Sequence, residues 1–341
     1  MAAYSRMQIV SLRQLIAVSL LLFAGCGDYV PQPDSGPAGG SAPGENAGGQ
    51  SGSGPAKPAS LTEARRGFQT KLLARKFDNE PVAQPPENLF QIVGYDAAPG
   101  MLAAYLSVAP GDRQRHPAIV WITGGDCNSV GSVWDLAPRD NDQTASAFRE
   151  AGIVMMYPTL RGGNGGPGVR EGFLGEVDDV LAAAEYLGQQ KFVDPQRIYL
   201  GGHSTGGTLV LLVAAASDRF RGVFSFGPVA EITDYGPEFI YFDTSNPREL
   251  ELRNPINWLA SIRCPTFVFE GTAPPTSNAD SVMKMSRSSQ NPLVKFFPVG
   301  GVDHFGILFP ITRLVAQKIL ADSGPQPAIS FTAEELQAAL R

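Results

Sequence analysis

The stretch from Arg197 to Val213 leaves this chain few ways to fold. Arg197-Ile-Tyr-Leu reads as a strand, Gly202-His-Ser-Thr-Gly-Gly interrupts it, and Thr208-Leu-Val-Leu-Leu-Val resumes at once as a helix. A strand that becomes a helix over so few residues must bend sharply. Only small residues at Gly202 and Gly206 let the two backbones pass so closely. Such a turn forces Ser204 into a strained conformation and exposes its hydroxyl. The helix that follows offers amide donors to a developing negative charge. G-x-S-x-G recurs by chance, and a glycine-rich loop with a structural serine is the plain alternative. Its weight here comes from lying between a strand and a helix.

The rest of the chain repeats that rhythm. Leu89 to Tyr95 and Met101 to Val108 read as two strands joined by the turn-forming Ala97-Ala-Pro-Gly100. Further strands are expected at Ala118 to Ile122, Ile153 to Tyr157, Ile198 to Gly201, Gly222 to Phe226, Thr266 to Glu270 and Leu293 to Pro298. Helices are expected at Thr144 to Ala151, Phe173 to Gln190, Gly206 to Ala216, Ile307 to Ala321 and Thr332 to Leu340. The last begins with the capping pair Thr332 and Glu335. Short apolar strands alternating with helices imply an α/β fold, a mostly parallel sheet covered on both faces. The opening hairpin adds an antiparallel edge. Val229 to Arg263 breaks the rhythm and is expected to form irregular or short helical structure over the site.

A nucleophilic serine needs a base, and histidine suits proton transfer near neutral pH. The chain has three histidines. His116 precedes the first core strand, at the end of the sheet opposite the turn. His203 is the variable residue of the turn itself, with its side chain directed away from the hydroxyl. His304 lies in Gly300-Gly-Val-Asp-His-Phe-Gly, after the last strand and before the long helix, and is the candidate base. The plain alternative is a satisfied loop histidine. An oxyanion needs two N–H groups aimed at one point. Thr205 supplies one, and Thr123-Gly-Gly-Asp126 the other, through Gly125 or else Asp126; a structural Gly-Gly turn is the alternative.

Taken in order, the Gly-Gly after the first core strand, Arg161-Gly-Gly, Glu176-x-Asp-Asp, Val193-Asp-Pro-x-Arg-Ile, Gly-x-Ser-x-Gly-Gly and a late histidine resemble the catalytic domain of the prolyl oligopeptidase family. Dienelactone-hydrolase-like esterases share much of the pattern. The resemblance runs from about Phe90 to Ala321 and is specific in the middle third. It implies an α/β-hydrolase sheet of eight strands, with nucleophile, acid and base in that chain order. Arg161 then matches a loop arginine with a structural role. Asp178 and Asp179 are expected on the solvent-facing or capping side of a helix, away from catalysis.

Three departures bear on the site. The family's His-Gly-Gly is Thr123-Gly-Gly here, and Asp126 puts a carboxylate where it would repel an oxyanion unless turned away. The family's Gly-x-x-Asp after the seventh strand is Gly271-Thr-Ala-Pro274, so the usual acid is missing. Glu270, one residue before Gly271, is the first candidate to replace it, because a carboxylate ending the apolar run Thr266-Phe-Val-Phe demands a partner if buried. An ordinary ion pair with an arginine is its plain alternative. Asp234 is the second candidate, since some relatives of the fold carry the acid after the sixth strand, and Asp280 the third.

The first residues read as a leader. Arg6 and Arg13 precede the apolar Leu15 to Phe23, and Ala24 and Gly25 precede Cys26 in the manner of a bacterial lipobox, with Phe23 in place of the usual Leu. Cys26 is then the lipidated residue, and the membrane is met through that lipid alone. Gly27 after it, by resemblance to lipoprotein sorting rules, points to the outer membrane and its periplasmic face. An ordinary secretory signal is the alternative. Residues 26–60 are rich in Gly, Pro and Ser and form a flexible tether, leaving 61–341 as one hydrolase domain. Cys127 and Cys264 fall at opposite ends of parallel strands and are expected to stay unpaired. A net charge of −6 argues against nucleic acid, and no metal or cofactor is implied. The reading is a serine hydrolase that opens a carboxylic ester or similar acyl bond of a small molecule through an acyl-serine intermediate. A small-peptide peptidase is one alternative, although little chain precedes the first strand to form the propeller of large family members. A catalytically inactive binding lipoprotein is the other.

Overall fold

The computed structural model describes residues 60–341. Cys26 and the other residues of the leader and tether lie outside the described residues. One eight-stranded sheet organises the rest, in the order β1-β2-β4-β3-β5-β6-β7-β8. The strands are β1 (Phe90–Ala97), β2 (Gly100–Ser107), β3 (His116–Ile122), β4 (Val154–Pro158), β5 (Val193–His203), β6 (Val223–Phe226), β7 (Thr266–Gly271) and β8 (Val294–Val299). The hairpin β1-β2 pairs antiparallel with Ala97 opposite Gly100, and β2 pairs antiparallel with β4. From β4 to β8 every pairing is parallel. The helices are α1 (Leu61–Arg65), α2 (Ser146–Glu150), α3 (Glu176–Gly188), α4 (Thr205–Ala216), α5 (Pro247–Arg253), α6 (Ala279–Ser288), α7 (Leu308–Ala321) and α8 (Ala333–Ala339).

Period-two alternation along the strands makes two different cores. On one face Ala118, Val120 and Ile122 of β3 and Val154 and Met156 of β4 pack with Val180, Leu187 and Leu209 beneath α3 and α4. On the other, Ile119, Trp121, Tyr199, Phe224 and Phe269 pack with Phe148 of α2 and with Ile311 and Val315 of α7. The first face is aliphatic, the second largely aromatic. α4 is buried from Thr205 to Ala215, because it lies between the sheet and the elements outside it.

Several boundaries differ from those expected. The strand at Ile198 begins at Val193, because after a register shift near His116 its first residues also pair with β3. α3 begins only at Glu176, since Phe173, Leu174 and Gly175 form the loop that approaches it. The segment after β6 forms four short 3-10 turns and α5, in accord with its broken rhythm. Both described cysteines are free.

The start of α3 corrects one expectation. Asp178 is on the surface with Arg65, 2.6 Å away, but Asp179 is fully buried. It accepts hydrogen bonds from Arg161 through the main-chain amide, Nε and Nη2 at 2.8–2.9 Å. A one-residue step on a helix turns a side chain by about 100°, enough to move it from solvent to core. Beside this pair lies Glu176, also buried, whose Oε1 accepts from the Glu171 amide at 2.6 Å and Asn128 Nδ2 at 3.2 Å. Its Oε2 has no hydrogen-bond partner.

Burial raises the Glu176 pKa above its ordinary value, outweighing the attraction of Arg161. The fold therefore holds this proton more tightly than the unfolded chain does. Its stabilising contribution is complete below the unfolded pKa and is lost as pH rises through the folded one. Glu176→Gln keeps the Oε1 acceptor and removes the charge. The variant's melting temperature should match wild type near about pH 4 and exceed it increasingly towards about pH 8. Thermal melts across that range test this, and a gap independent of pH would refute it.

Candidate active site

Everything chemically notable gathers at the carboxyl ends of the parallel strands, where open α/β sheets carry their sites. Ser204 follows β5 with φ +54° and ψ −117°, a conformation that costs a non-glycine residue about 1–3 kcal/mol. Two main-chain bonds hold it there: Ser204 N–H to the Phe226 carbonyl at 2.7 Å, and Thr208 N–H to the Ser204 carbonyl at 2.9 Å. A Cβ at Gly206 would lie 2.3 Å from the Ile122 carbonyl oxygen, and one at Gly202 would lie 2.6 Å from the Gly206 oxygen. No side chain fits at either position. The serine itself remains partly accessible.

His304 follows β8 and is buried, 3% exposed. Its Nδ1 is 3.1 Å from Oε1 and 3.2 Å from Oε2 of Glu270, the fully buried penultimate residue of β7. A carboxylate at Nδ1 selects the tautomer with the proton there, which leaves Nε2 free to accept one. Glu270 is itself oriented by the Asn278 amide, 2.5 Å from Oε1. The Asn278 side chain donates to the Gly227 carbonyl at 2.8 Å. Gly227, with φ +59°, is the tight position: a Cβ there would sit 2.3 Å from His304 Cε1 and 2.7 Å from Glu270 Oε2. Its neighbour Phe226 accepts the Ser204 amide, so serine, histidine and carboxylate converge on the end of β6.

The loop after β3 is tied to the turn by a side chain. Thr205 Oγ1 donates to the Gly125 carbonyl at 2.9 Å. As the first residue of α4, Thr205 has an amide with no carbonyl one turn back to receive it. Asp126 is turned aside: Oδ2 meets Arg170 Nη2 at 2.6 Å, and Oδ1 accepts from the Asn128 amide at 3.2 Å. Arg170 also reaches Asp78 at 3.0 Å, so its guanidinium draws Asp126 into a surface ion-pair network. A cavity of about 220 Å³ opens beside Gly125, walled by Asp126, Cys127, Arg170, Phe173, Phe239 and Tyr241. Burial, and then the charge of Glu176, pushes the Cys127 thiol well above its ordinary pKa, so it remains protonated. A larger cavity, about 600 Å³, lies among α1 and the start of α3 and includes none of these groups.

The other candidates stand apart. Asp234 accepts a hydrogen bond from Ser281 at 3.0 Å, and Asp280 is exposed on α6. His116 opens β3 and pairs with Asp112 at 2.9 Å, at the far end of the sheet from Ser204. Arg161 holds Asp179 and Glu171. Three contributors were not singled out from sequence: Gly227, Asn278 and Arg170. Gly227 alone left a trace, a glycine just after an apolar strand.

The fold is that of an α/β-hydrolase, with a strained serine, a buried histidine and a buried carboxylate gathered at the carboxyl ends of its strands. Residues 139–291 match the prolyl oligopeptidase family. It is 28% identical over 127 residues to the dual function macrocyclase-peptidase POPB of Galerina marginata, a match covering 33% of this chain and 17% of that protein. The acylaminoacyl peptidase of Pyrococcus horikoshii superposes with a TM-score of 0.55 at 18% identity, over 73% of this chain and 44% of that one. The Pyrococcus furiosus esterase PF2001 superposes with a TM-score of 0.51 at 15% identity, over 72% of this chain and 97% of that one. The chain thus matches less than half the length of both peptidases and nearly all of the esterase.

Gly227→Ala tests whether the acid–base pair depends on the empty space at the end of β6. The added methyl must displace His304 or Glu270, and turnover should fall by about 10²-fold while the fold persists. Glu270→Gln, which preserves shape and removes the charge, should lower turnover by as much as about 10⁴-fold. Steady-state kinetics with melting temperatures on both variants are decisive. Near-wild-type kcat in Glu270→Gln would remove that residue from the reaction.

Proposed function

We propose that this protein hydrolyses a carboxylic ester, or a similarly activated acyl bond, through an acyl intermediate on Ser204. Ser204 attacks the carbonyl, His304 takes its proton and returns it to the leaving group, and water repeats the sequence to free the acid. Glu270 stabilises the imidazolium formed on the way. The Thr205 and Gly125 amides receive the oxyanion. Neither cofactor nor metal enters this scheme. One observation carries the reading: the buried Glu270 carboxylate at 3.1 Å from His304 Nδ1, packed against the backbone that also binds the Ser204 amide.

Peptide bonds of small peptides are the second reading, supported by the family match over residues 139–291. Active-site labelling with a fluorophosphonate tests the mechanism without knowledge of the substrate. Wild type should label and Ser204→Ala should not, with unchanged melting temperature; labelling retained in that variant would remove Ser204 from the mechanism. Short-chain aryl esters and aminoacyl amides, each referred to an unrelated esterase on the same pair, then separate the two readings. A strong relative preference for amides would favour the peptidase.

For its location we propose the bacterial envelope, with Cys26 lipidated and the domain tethered at the periplasmic face of the outer membrane. The support is the apolar Leu15 to Phe23, the small Ala24 and Gly25, and the Gly/Pro/Ser-rich stretch that follows. Among the described residues no helix is long and apolar enough to cross a membrane. Expressed in bacteria, wild type should incorporate labelled palmitate and partition into detergent, and Cys26→Ser should do neither. An unlabelled, soluble wild type would mark the leader as an ordinary signal.

A further inference from the structure

The variable residue of the turn, His203, is fully buried, and its ring centroid lies 4.5 Å from that of His304. Its Nε2 is 3.1 Å from the main-chain carbonyl oxygen of His304. A carbonyl only accepts, so Nε2 carries the hydrogen and Nδ1 is the bare nitrogen. Nδ1 lies 3.4 Å from Gln143 Oε1, the longer of the two polar contacts of the ring, and the shorter one to the carbonyl sets the hydrogen on Nε2. Gly124 of the oxyanion loop closes over both: a Cβ there would lie 2.8 Å from Gln143 Oε1 and 2.9 Å from His203 Nδ1. Burial, and then the neighbouring His304, depresses the His203 pKa to about 3, so the ring stays neutral.

We propose that His203 is a positioning residue for the base: its Nε2–H holds the His304 main chain, while its ring packs beneath Gly124 and sets the spacing of base, nucleophile and oxyanion loop. The His304 amide donates to the Thr276 carbonyl at 2.9 Å. The base is thereby clamped at both main-chain groups, by the loop after β7 on one side and by the turn on the other. Because His203 directly precedes Ser204, this second clamp joins nucleophile and base within one rigid unit. Phe305, with its ring centroid 5.5 Å from that of His203, packs the unit from outside. The inference deepens the hydrolase reading and rests on it.

Three substitutions separate this role from mere filling of space. The amide nitrogen of glutamine reaches the place of Nε2, that of asparagine only the place of Nδ1, and leucine supplies no donor. With p-nitrophenyl acetate, His203→Gln should stay within about threefold of wild-type kcat, whereas His203→Asn and His203→Leu should lose about 10²-fold in kcat at nearly constant KM. Fluorophosphonate labelling rates should follow the same order, with melting temperatures reported for each. If His203→Leu does not fold, the comparison of Gln with Asn decides alone. Equal losses in Gln and Asn, or wild-type kcat in Asn or in a folded Leu variant, would overturn the proposal. A wild type that neither labels nor turns over would overturn the hydrolase reading, and this inference with it.

Discussion

The passage from β5 into α4 is the constraint on which the rest of the structure depends. Ser204 sits at a positive φ that the chain tolerates only because its amide and carbonyl are bonded on both sides, to β6 and within α4. Gly206 brings α4 so close to the end of β3 that its α-carbon faces the Ile122 carbonyl directly. That contact sets where β3 ends relative to the helix, and so where the Thr123–Asp126 loop leaves the sheet. Thr205 then links the same helix to Gly125. Ser204 and the Thr123–Asp126 loop are therefore not placed independently. The turn that strains the serine also brings the loop within reach.

Around this turn the protein buries several charges and must satisfy each. Asp179 does so by accepting three bonds from Arg161, and the buried Arg253 and Glu249 by pairing with each other. Removing one partner from such a pair typically costs about 3–5 kcal/mol, so these pairs hold the loop after β4, whose Glu171 and Gly172 carbonyls Arg253 also binds. Glu270 differs because its partners are the Asn278 amide and an imidazole rather than a fixed cation. The positive charge it can stabilise arises only when His304 takes up a proton. A carboxylate of this kind is of little use to folding and well suited to a charge that comes and goes during a reaction.

On the proposed reading the acid is Glu270 near the end of β7, and the loop from Thr272 to Ser277, with Pro274, does not carry it. That loop instead supplies the Thr276 carbonyl that receives the His304 amide. Gly227 completes the exchange, since the space its missing side chain leaves is where the imidazole and the carboxylate meet.

The sequence by itself determined the repeating pattern and the turn. Strand and helix periodicity, and the glycines around Ser204, are local properties set by side-chain spacing and backbone sterics. For that reason the eight strands were legible along the chain, with displaced ends such as Val193 and, for α3, Glu176, whereas the short α1 was not expected and the hydrolase sheet came from the resemblance. The thiols of Cys127 and Cys264 were likewise expected to remain free. Contacts between distant segments decided the rest. Asp178 and Asp179 look alike in sequence, yet one meets water and the other Arg161, because adjacent helical residues face different directions. Nothing local in Asn278 or Arg170 marks them as the groups that orient Glu270 and draw Asp126 aside. His203 was read as directed away from the serine, but what it is directed towards, the carbonyl of a residue about a hundred positions later, exists only once β5 and β8 end on the same side of the sheet. Such relations depend on tertiary packing, because a hydrogen bond or a forbidden Cβ has no signature in either strand until the fold brings both together.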